Sequence, residues 1–343
     1  MKPIIGVTMG DPAGIGAEIA VKALSYPAIY GSCVPVVIGD DAAVRDAIRF
    51  CGSPLVINTI GSPERAQDAY GALNLIDLGL LKPRGWEYKK VSALCGKAAF
   101  TYIDEAIRLA MAGKIHAVAT GPISKEAINK AGYHYSGHTE IFAEKTNAKN
   151  YAMLLMYGSF RVIHVTAHVS VRGACGLITK ERVLNTIRLA WESTLLIGVP
   201  RPRIAVAGFN PHAGENGLFG DEEAKAIAPA IEDARSEGIT ADGPIPPDTV
   251  FVKALAGQYD IVVAMYHDQG HIPVKLIGFK PDGNTDNYAS VGGVNCTAGL
   301  PIIRTSVDHG TAFDRAGENR ANEESLVEAI MAAAQMAKLK YSL

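Results

Sequence analysis

Short apolar, β-branched runs recur along this chain and alternate with stretches of helical periodicity, and that alternation limits the fold more than any other feature. The runs fall at 4–9, 34–38, 55–59, 73–77, 115–120, 152–157, 162–167, 204–208, 261–265 and 301–306. Most are apolar at consecutive positions rather than at every second one, the pattern of strands buried on both faces of a parallel sheet. Helical patterns at 42–50, 95–112, 180–198, 221–236 and 323–339 lie between or after them. Strand following helix following strand predicts an α/β fold with a mostly parallel core. A length of 343 residues suffices for two such domains.

Charge and cysteine usage exclude several classes. The formal net charge is −2, so neither nucleic acid nor an anionic membrane is favoured as a partner, and local basic positions must bind any phosphate. There is no run of about 18 apolar residues, and Met1-Lys2-Pro3 leads straight into a strand, so the cytoplasm is expected. Cysteines 33, 51, 95, 175 and 296 are odd in number, widely spaced and without a C-x-x-C pair. Free buried thiols are expected, not a disulfide framework or a zinc module.

In open α/β sheets ligands gather at the carboxyl ends of strands, and three histidines share that context here. His168, His212 and His267 each follow an apolar strand and sit in a polar, glycine-containing loop. If the strands run parallel, the imidazoles emerge at one edge and fit a catalytic divalent metal; hydrogen-bonded loop histidines are the bland alternative. His267 opens the densest polar run, YHDQGHIPVK, which also holds Asp268, Gln269, His271 and Lys275. The loop 10–16 is spaced G-x-x-x-G-x-G and lacks the dinucleotide fingerprint, so it reads as a helix-opening turn or a phosphate cradle.

Other candidates are charged or lie at helix starts. His138 and Thr139, in SGHTE, stand at a helix N-terminus that favours an anion or needs a cap. Arg304 follows three apolar residues at a strand, a costly place for a guanidinium without an anionic partner. Lys275, eight residues beyond His267, is a candidate for the same site. Asp248 reads as a cap or a base, and His309 as a cofactor contact or a turn residue. His116, His134, His164 and His271 read as structural.

Seven segments together resemble the 4-hydroxythreonine-4-phosphate dehydrogenase family: GDPAGIGAE, TGPISKEAIN, SGHTE, NPHAGENG, GPIPPDT, AMYHDQGHIPVK and GVNCTAGLPIIRTSVDHGTAFD. The resemblance implies two α/β/α domains of isocitrate/isopropylmalate dehydrogenase type, 1–130 with 296–343 on the cofactor side and 131–295 on the metal and dimerisation side. It implies a homodimer with shared active sites and a metal, zinc before magnesium, manganese, cobalt or nickel, on His168, His212 and His267. Substrate positions fall on His138, Thr139, Lys275, Asn295 and Arg304. Nicotinamide (NAD or NADP) positions fall on Asn295, Leu300, Asp308 and His309, and proton transfer on Lys275, Asp248 and Asp268. Between Lys275 and Asn295 the chain is longer than expected of the biosynthetic enzyme, and with the HDQGHIPVK wording it looks more like the subgroup acting on D-threonate or D-erythronate 4-phosphate. Cys296 and Ala298 depart from the family's GVN-x-T-x-GLP pattern. A dihydrodiol dehydrogenase is a further relative to weigh.

The activity so implied is metal-dependent oxidation of the C3 hydroxyl of a 4-phosphorylated 3-hydroxy acid, followed by decarboxylation. From the residues alone, a non-redox metal-dependent lyase or hydrolase on the same three histidines competes with it, and a non-catalytic phosphate-binding protein is a third reading.

Overall fold

The computed structural model describes residues 1–81, 85–281 and 288–343, and the side chains of 280–291 are outside the description. Part of the long stretch between Lys275 and Asn295, and residues 82–84, therefore lie outside the described residues. The chain forms two compact units, Met1–Ala148 with Ser290–Val294 and Leu300–Leu343, and Lys149–Ala289 with Asn295–Gly299.

The first unit opens with β1 (Ile4–Thr8), α1 (Gly16–Leu24), α2 (Pro27–Ser32), β2 (Val34–Gly39), α3 (Asp41–Cys51), β3 (Val56–Thr59) and β4 (Ala72–Asp77). It continues through α4 (Ala93–Met111), β5 (Ala117–Thr120), α5 (Lys125–Lys130) and α6 (His138–Lys145). In the second unit come β6 (Ala152–Tyr157), β7 (Phe160–His164), α7 (Val171–Leu177), α8 (Lys180–Leu196), β8 (Ile204–Ala207), α9 (Ala228–Ser236), β9 (Ala241–Ile245), α10 (Pro247–Leu255), β10 (Ile261–Ala264) and α11 (His267–Gly278). Two short strands, β11 (Phe279–Pro281) and β12 (Tyr288–Val291), form a separate two-stranded sheet. Then follow β13 (Val294–Ala298) and the first unit's closing elements, β14 (Ile303–Val307) and α12 (Glu324–Tyr341).

In the first unit the strands are all parallel in the order β3-β4-β2-β1-β5-β14. The central strands β1, β2 and β5 are buried almost throughout, as their unbroken apolar runs require. Helix α4 packs on β1, β2 and β5, whereas α12 packs on β14, β5 and β1 beside α1 and α2, giving the α/β/α layering. Ser92 starts α4 by accepting the Cys95 N–H, and Gly52, in the left-handed region, ends α3.

The second unit has β7, β10, β8 and β9 parallel in that order, with β6 antiparallel on β7. Tyr157 and Phe160 pair across a two-residue turn in which Gly158 takes φ +57°, the tight hairpin geometry that glycine allows. Ile261, Val262, Val263, Ala264 and Met265 are fully buried and form the middle of this core.

Two stretches whose glycine, proline and polar residues suggest loops are paired as strands. Residues 241–245 form β9, whose register on β8 shifts between Ala205 and Ala207; Pro244 is tolerated because β9 is an edge strand. The stretch 278–295 contains β11, β12 and the start of β13. No helix among the described residues is long and apolar enough to cross a membrane.

Candidate active site

Three neighbouring parallel strands of the second unit deliver the three histidines to one edge of its sheet. Val263 of β10 stands beside Ile163 of β7 and Val206 of β8, so all three chains leave the sheet in the same direction. His168 follows β7, His267 begins α11 directly after β10, and His212 lies in the loop after β8. The rings of His168 and His267 have centroids 5.9 Å apart, whereas the ring of His212 lies 6.2 Å from that of Phe219. Among the described residues, no group of three His, Cys, Asp or Glu side chains is gathered tightly enough to hold a metal ion as it stands.

The β8 exit has an unusual backbone. His212, Ala213, Gly214, Glu215 and Asn216 all take positive φ, between 41° and 81°, within the turn Pro211–Gly217. Each non-glycine residue there carries roughly 1–2 kcal/mol of steric cost, so the surroundings must hold the turn in place. Glu223 is buried and accepts the N–H groups of Phe209 (2.8 Å) and Asn210 (2.7 Å) through one oxygen, and the Asn210 amide (2.9 Å) through the other. Gln269 performs a similar service between strands. Its Oε1 accepts the Met265 N–H at 2.6 Å and its Nε2 donates to the Gly208 carbonyl at 2.8 Å, fastening the β10 exit to the β8 exit.

His267 is flanked by three polar neighbours. Its Nδ1 lies 2.6 Å from Asp268 Oδ1, so Nδ1–H donates to that carboxylate, and in the neutral ring the lone pair sits on Nε2. The His271 ring stacks on it at 3.6 Å and 10°, and His164 lies behind His271, Nε2 to Nδ1, at 3.2 Å. Burial pushes His164 down to about 4 and His271 down to about 3, so both rings are neutral at neutral pH. The sequence by itself gives both only structural roles; the i, i+4 spacing of His267 and His271 on one helix is the signal that joins His271 to the site.

Lys275 lies on the last turn of α11, about 12 Å along the axis from His267 by helical rise, with Nζ 4.2 Å over the Phe279 ring. Asp248 is exposed in the first turn of α10, where its charge suits the helix dipole. Asp268 is exposed beside His267. Asn295, on β13, has a buried Oδ1 that meets no donor among the described residues.

In the first unit a second group of predicted residues comes together. Arg304 is 3% exposed on β14, donates from Nη2 to Thr120 Oγ1 at 2.9 Å and lies 5.6 Å from the Phe142 ring of α6. His138 begins α6; burial, aided by the Arg304 charge, pushes it well below the ordinary histidine range, and its buried Nε2 has no partner among the described residues. Thr139 is buried next to it. Leu300 lies between β13 and β14; after β14, the Asp308 N–H donates to Ser325 Oγ and His309 Nδ1 donates to the Gly310 carbonyl.

The glycines of loop 10–16 are used up by the protein itself. A Cβ on Gly10 would meet the Pro122 carbonyl oxygen at 2.4 Å, and one on Gly16 would meet that of Met9 at 2.0 Å. These contacts account for the glycine spacing as a packed turn between strand exits.

Comparison with known proteins agrees with this architecture. The sequence pattern described as Pyridoxal phosphate biosynthetic protein PdxA matches residues 31–333. D-threonate 4-phosphate dehydrogenase of Cupriavidus necator is 46% identical over 336 residues, 98% of this chain and 97% of that protein. D-threonate 4-phosphate dehydrogenase of Pectobacterium atrosepticum is 47% identical over 338 residues, 98% of this chain and 100% of that protein. The crystal structure of 4-hydroxythreonine-4-phosphate dehydrogenase from Klebsiella pneumoniae is similar with a TM-score of 0.86 at 46% identity, covering 98% of each chain.

Proposed function

The chain belongs to the PdxA family of dehydrogenases acting on a CH–OH group, and from that premise we propose that its substrate is D-threonate or D-erythronate 4-phosphate. The C3 hydroxyl is oxidised with NAD or NADP, and the resulting 3-oxo acid loses CO₂ to leave dihydroxyacetone phosphate. The observation that carries the reading is the buried group on the first unit: a guanidinium beside a neutral histidine whose Nε2 lacks a partner among the described residues. Such a pair suits a phosphate, which accepts from both.

Each residue has a role in this reading. Arg304, His138 and Thr139 hold the phosphate; Asn295 and Lys275 contact the substrate. Leu300, Asp308 and His309, with Asn295, face the nicotinamide. A divalent metal on His168, His212 and His267, zinc first among the candidates, would supply Lewis acidity at the C3 oxygen, while NAD(P)⁺ supplies the hydride acceptor. The donor types fit such an ion: imidazoles after three adjacent parallel strands, one already held through Nδ1 by a carboxylate. Asp268 fixes the His267 tautomer, and Lys275 and Asp248 are the proton-transfer candidates. Exposed apolar side chains on α7, α10 and α11 (Val171, Val252, Leu255, Ile272 and Leu276) support a homodimer through the second unit. Membership of a dehydrogenase family removes the ground for a non-redox lyase or hydrolase.

The 4-hydroxythreonine-4-phosphate named in the Klebsiella pneumoniae structure is the second reading. Steady-state formation of reduced cofactor at 340 nm, with each of the three phosphorylated acids and both cofactors, separates them. Turnover with D-threonate or D-erythronate 4-phosphate is expected, and silence on all three acids refutes the substrate class. His212→Ala is expected to lower bound metal and turnover together; a folded variant unchanged in both refutes the three-histidine ion site.

A further inference from the structure

The three-histidine reading leaves two imidazoles, the buried His164 and the half-buried His271, without a task. His164 is 1% exposed, and its Nδ1 lies 3.1 Å from the Met153 carbonyl, which can only accept. Its Nδ1 therefore carries the proton and its Nε2 is an acceptor. The donor facing that acceptor is His271 Nδ1–H, 3.2 Å away and shared with the His267 carbonyl at 3.1 Å. Every proton in the column is thus assigned by a fixed acceptor: Met153 O for His164, His164 Nε2 and His267 O for His271, Asp268 Oδ1 for His267.

The backbone is cut to admit this column. A Cβ at Gly270 would lie 2.3 Å from His164 Nε2 and 2.7 Å from Val162 Cγ1, so only glycine lets the first turn of α11 settle on β7. That close seating brings His271 Nδ1 within 3.2 Å of His164 Nε2, while the i, i+4 spacing on α11 stacks the His271 ring on that of His267 nearly parallel, 3.6 Å away.

We propose that His271 is a positioning residue for His267: held by the buried His164, its flat ring fixes the ring plane of His267 while Asp268 fixes the proton. His267 then presents one bare nitrogen in one orientation. This rests on the assignment of His267 to the proposed metal site, and it extends the support of that side chain beyond the carboxylate contact to the ring face.

The test uses the full chain and two readouts. The first is the ring ¹⁵N pattern of the metal-free protein, and the second is Co²⁺ affinity by absorption titration. In the parent protein His164, His267 and His271 should all show the Nδ1–H tautomer. His271→Ala should free the ring plane, so that His267 turns away from Asp268 and averages between tautomers, and should weaken Co²⁺ binding by about 10–100-fold, the usual range for lost support around a ligand. His164→Leu combined with His271→Phe keeps a flat ring over His267 with no bare nitrogen behind it, and should restore both readouts. If His271→Ala fails to fold, His271→Leu, which fills the space without a flat ring, takes its place. The proposal is overturned if the Ala or Leu variant matches the parent in the ¹⁵N readout, or if the double variant is no better than Ala. Equal Co²⁺ binding by His267→Ala and the parent would instead refute the metal assignment, leaving the metal-free ¹⁵N comparison to judge the positioning.

Discussion

Gln269→Leu separates a placed side chain from mere filling at the strand exits. Gln269 is 8% exposed and satisfies two backbone groups at once, the Met265 N–H at 2.6 Å and the Gly208 carbonyl at 2.8 Å. Leucine has nearly the same volume and can make neither bond. Each buried backbone group so stranded costs about 1–3 kcal/mol, and the greater apolar burial of leucine returns roughly 1 kcal/mol. A net loss of about 1–5 kcal/mol is expected, read from the shift in the urea unfolding transition of the second unit. Gln269→Glu keeps the acceptor for Met265 but turns a carboxylate toward the Gly208 carbonyl. Its loss should shrink as the pH falls and the new carboxyl gains a proton to donate. The kinetic effect should exceed the stability effect, because the β8 and β10 exits carry His212 and His267. A Leu variant within about 0.5 kcal/mol of the parent, or a Glu variant whose loss is independent of pH, refutes this account.

Three further outcomes are expected. Burial raises the Asp11 carboxyl from 3.8 to about 6; its folded pKa lies above its unfolded one, so its contribution is present at low pH and falls as the pH rises from 3.8 to 6. The gap amounts to about 3 kcal/mol at ~1.36 kcal/mol per pH unit, and the stability difference between the parent and Asp11→Asn should change by that order across pH 4–7; a constant difference refutes it. Glu223→Ala removes the acceptor of two backbone N–H groups and the Asn210 amide and should cost about 2–4 kcal/mol. Limited proteolysis should then cut within 210–219, and unchanged resistance there contradicts the clamp. Arg304→Lys, which cannot match the planar fork, should raise KM for the phosphorylated acid by about tenfold or more with a smaller change in kcat; an unchanged KM removes Arg304 from the phosphate site.

The fold class and the strand-exit histidines could be read in the sequence because they depend on local pattern. Consecutive apolar residues at 261–265 specify a buried strand wherever the chain runs, and a polar, glycine-containing segment after it specifies an exit. Sequence alone could not say that β7, β10 and β8 are neighbours in that order, since strand order is a matter of non-local pairing. Nor could it find β9, whose glycine and proline read locally as a loop and which forms only because β8 offers it an edge. His164 and His271 are separated by 107 residues; their contact, and hence the reason for Gly270, exists only once α11 is seated on β7. The chemical types at the site are written in the chain, whereas the neighbours that fix their protons and ring planes come from packing across strands.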